Sequence, residues 1–177
     1  KQIDYGGMTL CEFDIDAALK RNPQLILVDE FAHTNIESSR HTKRYQDVQE
    51  LLNAGIDVYT TVNVQHIESL NDTVASITGI LVRERIPDSA FDQADQVELV
   101  DIEPAELLER LASGNVYQKD QAKRATVNFF TLENLTALRE IALRRCADRV
   151  NLLTERARIQ SRGDYHTDER ILACLSS

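Results

Sequence analysis

The sequence predicts an α/β fold: a mostly parallel sheet with flanking helices, followed by one long helix. Three observations predict it. Short apolar runs of strand length alternate with segments of helical periodicity, the signature of parallel strands joined by crossover helices. The first run, Leu25-Ile26-Leu27-Val28, is apolar throughout, as strands covered on both faces tend to be. From residue 131 the pattern changes, and Leu135, Leu138, Ala142, Cys146, Val150 and Leu153 recur every three or four positions, one face of a long helix.

The elements follow in order. Residues 1–7 read as a loop or strand end. Phe13, Ile15, Ala18 and Leu19 recur at helical spacing, which predicts a helix over 10–21. Asn22-Pro23 stops it, because proline disfavours helix in the residue before it. The strand 25–28 comes next, then a polar loop over 31–42. A helix is expected over 43–54, with Val48, Leu51 and Leu52 inward and Gly55 as its terminator. Residues 56–62 are β-branched and aromatic, a second strand. A helix should then run to Thr78 and end at Gly79. Residues 80–86 and 96–102 read as third and fourth strands. Pro104 suits the first turn of a helix reaching Ser113. The long helix is expected to reach about Arg158, with its other face rich in arginine, and residues 171–175 read as a final apolar strand.

These elements suggest three parts: a sheet domain over 1–130, a long helix or connector over 131–162, and a linker with the first strand of a further domain over 163–177. The 177 residues amount to about one domain at ~150 residues each. With 20 Lys+Arg against 29 Asp+Glu the formal charge is −9, which argues against nucleic acid as a partner. No apolar run approaches the ~20 residues of a membrane span. Three widely spaced cysteines, Cys11, Cys146 and Cys174, form no CxxC, which speaks against a disulfide framework or zinc site. Acidic residues crowd 85–110. They are either a solvated face or a docking surface for a basic partner, and the arginine face of the long helix offers a second such surface.

Three groups of residues could carry chemistry. The run from Leu25 to Asp29-Glu30 has the Walker B pattern of a P-loop-NTPase-like sheet. A carboxylate at the carboxyl end of a buried parallel strand lies where α/β proteins bind ligands. Asp29 would hold the Mg²⁺ of a nucleotide, and Glu30 would orient the attacking water. The same six residues also fit an ordinary strand ending in acid. At the end of the second strand, Asn63, Gln65 and His66 are placed to sense a phosphate, or to cap a helix and form a turn. The polar stretch His33-Thr34-Asn35 with Arg40-His41-Thr42-Lys43-Arg44, at a helix start beside the candidate metal site, could meet phosphate through Arg40 or be a solvated loop. No GxxxxGK[ST] occurs in the chain, so the Walker A cradle is missing and nucleotide binding should be weak or absent.

A longer run of residues is far more specific. Glu12-Phe13-Asp14-Ile15-Asp16, Leu27-Val28-Asp29-Glu30-Phe31-Ala32-His33-Thr34-Asn35, Ser39-Arg40-His41, Tyr59-Thr60-Thr61-Val62-Asn63-Val64-Gln65-His66 and Gly114-Asn115-Val116-Tyr117 stand together in order. This series resembles the N-terminal cytoplasmic domain of the KdpD family of bacterial potassium-sensing histidine kinases, over about residues 4–150. The resemblance implies a regulatory, nucleotide-binding-type domain of a membrane-anchored two-component sensor. The parent would be an ATP-dependent protein-histidine phosphotransferase controlling a potassium-transport operon. ATP and Mg²⁺ are the implied cofactors of the complete domain. Implied partners are the other domains of the kinase, its response regulator, and a second copy through the parent. The implied location is the cytoplasmic side of the bacterial inner membrane. The missing Walker A implies a chain that starts inside the domain, and residues 171–175 would open a universal-stress-protein-like domain. By the same resemblance Asp29 and Glu30 take the Walker B roles, whereas the histidines here are not the phosphoacceptor. Two other readings stay open: an interaction module without nucleotide, and a small stand-alone NTPase.

Overall fold

A computed structural model describes residues 1–5, 8–113 and 129–161. The expected final strand over 171–175 lies outside them. The chain opens on a hairpin that the periodicity missed: β1 (Gln2–Tyr5) pairs antiparallel with β2 (Met8–Cys11), Gln2 opposite Cys11. The first helix, α1 (Ile15–Arg21), therefore starts later than expected. Its start is fixed by Asp14, whose carboxylate accepts from Ala17 N at 3.1 Å as an N-cap. Its end is fixed by Asn22, in the left-handed region at φ 48°, just before Pro23.

Strand β3 (Leu25–Val28) pairs parallel with β4 (Asp57–Thr60), in register Leu25 to Asp57 and Val28 to Thr60. Helix α2 (Arg44–Asn53) makes the crossover between them. Gln46 secures its start by accepting from Lys43 N at 3.1 Å. Val28, Val48, Leu51, Ile56, Phe31 and Ala32 form the core between sheet and helices. Leu52, expected inward, is exposed, because it stands one step of about 100° past Leu51 on the helix.

Coverage of the sheet is one-sided among the described residues, which corrects the expectation of a strand buried on both faces. Val28 is 3% exposed, but its neighbour Leu27 is 74% exposed. Alternation along the pleat sends Val28 toward α2 and Leu25, Leu27 and Tyr59 outward.

After β4 the chain makes two short 3₁₀ turns, Val64–His66 and Glu68–Leu70, then α3 (Asn71–Thr78), which ends on Gly79 at φ 69° as expected. The third expected strand, 80–86, does not form. Only Ile67 is extended between the two turns, so the ladder has a single rung: Ile86 N donates to His66 O at 2.8 Å and Glu68 N to Ile86 O at 3.0 Å. Residues 96–102 are not a strand either, and Val100 is 88% exposed. A one-turn helix that the periodicity missed, α4 (Asp88–Asp92), separates these segments, and α5 (Pro104–Ser113) has its expected bounds.

The long helix is α6 (Leu132–Ser161). It rests on α3, α5 and the Val64–His66 turn. Leu135 and Leu138 are buried as expected, but the stripe then continues through Arg145 and Arg149, not through Val150 and Leu153, which are exposed. The arginine-bearing face is thus partly the inner face. The reason lies in the partners: the acidic segment supplies two carboxylates that let the Arg145 guanidinium be buried there, and the Ala94 carbonyl meets Arg149.

Candidate functional site

The carboxyl ends of β3 and β4 place Asp29 beside Thr61. Asp29 Oδ1 accepts a short hydrogen bond from the Thr61 hydroxyl and another from Glu30 N at 2.9 Å. Glu30 N also approaches Thr61 Oγ1 at 3.3 Å, and Phe31 N donates to Thr61 O at 2.9 Å, so the two strand ends are laced together. The Thr61 hydroxyl, then the Glu30 amide, hold the Asp29 carboxyl below its usual pKa. Asp29 is therefore an ionised carboxylate, exposed at the edge of a parallel pair; both hydrogen bonds fall on Oδ1, and Oδ2 accepts none from the described residues.

Glu30 has φ 53°, a left-handed conformation that is costly for a residue with a Cβ. Its side chain is 75% exposed, and its Oε2 lies 3.8 Å from His33 Nδ1. His33 Nε2 in turn lies 3.0 Å from Glu12 Oε1, and Arg44 donates to Glu12 Oε2 at 2.9 Å. Glu12 is buried at the end of the hairpin. Burial opposes its charge, but His33 and Arg44 outweigh burial and hold the carboxyl below the usual range. Arg44 also donates to Asn35 Oδ1 at 3.2 Å and stacks over Phe13 at 5.7 Å. Asn35 passes the connection on to Asp47, 2.6 Å from its amide nitrogen. A buried polar web thus braces the loop that follows Asp29-Glu30.

The other predicted residues lie around this edge without converging on it. Arg40 is engaged by Asp16 and Glu50, and His41 shares Glu50 at 2.7 Å. The exposed Asn63 precedes the 3₁₀ turn at φ −87°. Gln65 and His66 line an open depression of about 380 Å³ with Arg83, Glu84, Phe129 and Phe130. His66 Nδ1 sits 2.8 Å from the Glu84 carbonyl, which can only accept, so Nδ1 carries the proton. The Glu84 carboxylate accepts from Thr34 N at 2.9 Å and ties that segment to the loop after Asp29. Thr61, Glu12 and Glu84 escaped sequence reasoning. A hydroxyl residue ending the strand beside Asp29-Glu30 was the available signal for Thr61; Glu12 and Glu84 act through tertiary contacts that carry none.

The donor set fits the metal half of a nucleotide site: an ionised, hard oxygen ligand at the sheet edge suits Mg²⁺. It lacks the phosphate half, since the sequence contains no Walker A loop. Among the described residues, no group of three or more His, Cys, Asp and Glu side chains is arranged to hold a metal by itself.

Comparison with known proteins supplies the family. The model of the osmosensitive K+ channel His kinase sensor domain, KdpD, matches residues 1–150. The chain is 62% identical over its whole length to sensor protein KdpD of Clostridium acetobutylicum, of which it covers 20%. It is 55% identical to sensor protein KdpD of Escherichia coli over 99% of the chain and 20% of that protein. It is 50% identical to a putative sensor protein KdpD of Synechocystis over 98% of the chain and 46% of that protein. The chain therefore spans between a fifth and a half of these relatives, and it belongs to the KdpD sensor-domain family.

Proposed function

We propose that the chain is a regulatory input domain of a two-component sensor histidine kinase that adjusts potassium transport through a response regulator. In this reading the Asp29 edge is its Mg-nucleotide contact. The observation that carries the nucleotide role is the Asp29–Thr61 pair: an ionised carboxylate held at the carboxyl end of parallel β3 and β4. Asp29 Oδ2 would bind the cation or its waters. Bound Mg²⁺ would supply charge neutralisation for the phosphates. Glu30, strained and exposed beside it, would orient a water, and His33 would hold Glu30 in place. The kinase core and phosphoacceptor lie elsewhere in the parent, on the cytoplasmic side of a membrane. None of the described helices is long and apolar enough to cross one.

The test is amide chemical-shift mapping with millimolar Mg-ATP. Shifts should centre on Asp29, Glu30 and Thr61 and disappear in Asp29→Asn. Identical shifts in that variant would remove the metal role. A second reading, an interaction module, is favoured by the exposed apolar face of Leu25, Leu27 and Tyr59. Silence of the wild-type edge toward Mg-ATP would select it.

A further inference from the structure

The acidic stretch over 85–110 and the arginine face of the long helix meet each other. Arg145 reaches Asp92 at 2.6 Å and Asp88 at 3.6 Å, and stacks over the Phe91 ring at 4.6 Å. Arg149 donates a short hydrogen bond to the Ala94 carbonyl. Both arginines are more than nine-tenths buried. Around them stand Arg145 Nε, Arg149 Nε and Arg149 NH1, buried nitrogens that find no acceptor among the described residues.

This pattern has a physical meaning. A buried guanidinium costs several hydrogen bonds with water, and the loss is offset only where each N–H is met. Arg145 is largely compensated by two carboxylates and an aromatic face. Arg149 meets one carbonyl among the described residues, so its stretch of the seam is the more weakly held. Immediately beyond, Val150, Asn151, Leu152 and Leu153 are all exposed. Four consecutive helical residues span a whole turn, so this turn of α6 has no buried side. Among the residues whose side chains are described, Arg149 is thus the last buried one on α6 and the less satisfied of the two arginines.

We infer that Arg145 and Arg149 form a latch that holds α6 on α4, and that this latch opens while the sheet domain stays folded. Opening would free both the arginine face and the Asp88–Asp92 carboxylates. Cys146 reports the event, since it lies between the two arginines on α6 and is half-buried with a free thiol.

The experiment measures maleimide labelling of Cys146 in the C11S/C174S background, alongside hydrogen exchange of the β3 and β4 amides. Arg145→Ala and Asp92→Asn should each speed labelling by roughly tenfold or more with β3–β4 protection retained. Arg149→Met, which removes the half of the latch met by a single carbonyl and keeps an apolar stem, should speed labelling by less than Arg145→Ala. Asp92→Asn keeps the shape of α4 and decides the matter if Arg145→Ala fails to fold. Unchanged labelling in Asp92→Asn would overturn the latch. So would acceleration accompanied by loss of β3–β4 protection, because the helix would then open only with the whole domain.

Discussion

At neutral pH the Glu12 carboxylate stands between His33 and Arg44, buried, and ionised because of them. Its folded pKa lies below the ordinary 4.5, so the unfolded chain binds the proton more tightly. The stability it contributes is present above that ordinary value and is lost as pH falls through the folded one. Asp47 has the opposite sign. Burial raises its pKa above 3.8 even though Asn35 donates to it, so its share of stability is present at low pH and declines as pH rises through the folded value. Guanidinium melts between pH 3 and 7 should therefore separate the two (about four units spanning both windows). Glu12→Gln should cost about 3 kcal/mol at pH 7, because Arg44 keeps its buried charge, and should flatten the acid limb. Asp47→Asn should remove the decline and cost little, since an amide oxygen still accepts from Asn35. Equal pH slopes in wild type and Glu12→Gln would contradict the assignment. Of these residues His33, Asn35 and Arg44 lay in the polar and basic cluster that the sequence marked; their work here is to brace a loop.

Among the elements, those with a local signal were readable and those made by partners were not. α5 carries Pro104 at its start and α3 has Gly79 at its end, and both bounds were legible. Gly79→Ala tests the second. The position is open, with no atom within 4 Å of an added Cβ, so only the left-handed φ of 69° opposes the change. A loss of about 1 kcal/mol in thermal or denaturant unfolding is expected; no loss would mean that α3 ends without needing that conformation. Residues 80–86 and 96–102 have strand-like composition, but a strand exists only where a neighbour offers a ladder. The 3₁₀ turns around Ile67 deny one to the first, and the second meets none among the described residues. The β1–β2 hairpin was hidden because helical spacing overran Leu10 and Cys11, and Asp14, the residue that ends the run, was not recognised as the cap.

At the scale of the whole molecule, the charge segregation visible in the sequence turned out to be an internal contact. Hydrophobic periodicity pointed Val150 inward; two ion pairs and a ring turned Arg145 inward instead. The position of Asp29-Glu30 was legible because it follows a strand; Gln65 and His66 were grouped with it as the end of the neighbouring strand and Arg40 as a basic cluster at a helix start, and the engagement of Arg40 by Asp16 and Glu50 had no sequence signal. The two ends of the α6 contact differ in kind. Arg139 binds Asp101 at 2.5 Å and Glu103 at 2.9 Å near the surface. Arg139→Ala should therefore lower stability only slightly at low salt, and less at high salt, in denaturant melts. A large, salt-independent loss would show the pair to be shielded from solvent. The length of α6 has a mechanical consequence. From Arg149 to Ser161 it extends about 18 Å at 1.5 Å per residue, and a tilt of about 20° at its base sweeps its tip through about 6 Å. The helix beyond Arg149 is thus a lever arm whose fulcrum is a pair of arginines. A change of one charge at that fulcrum would be magnified along the arm.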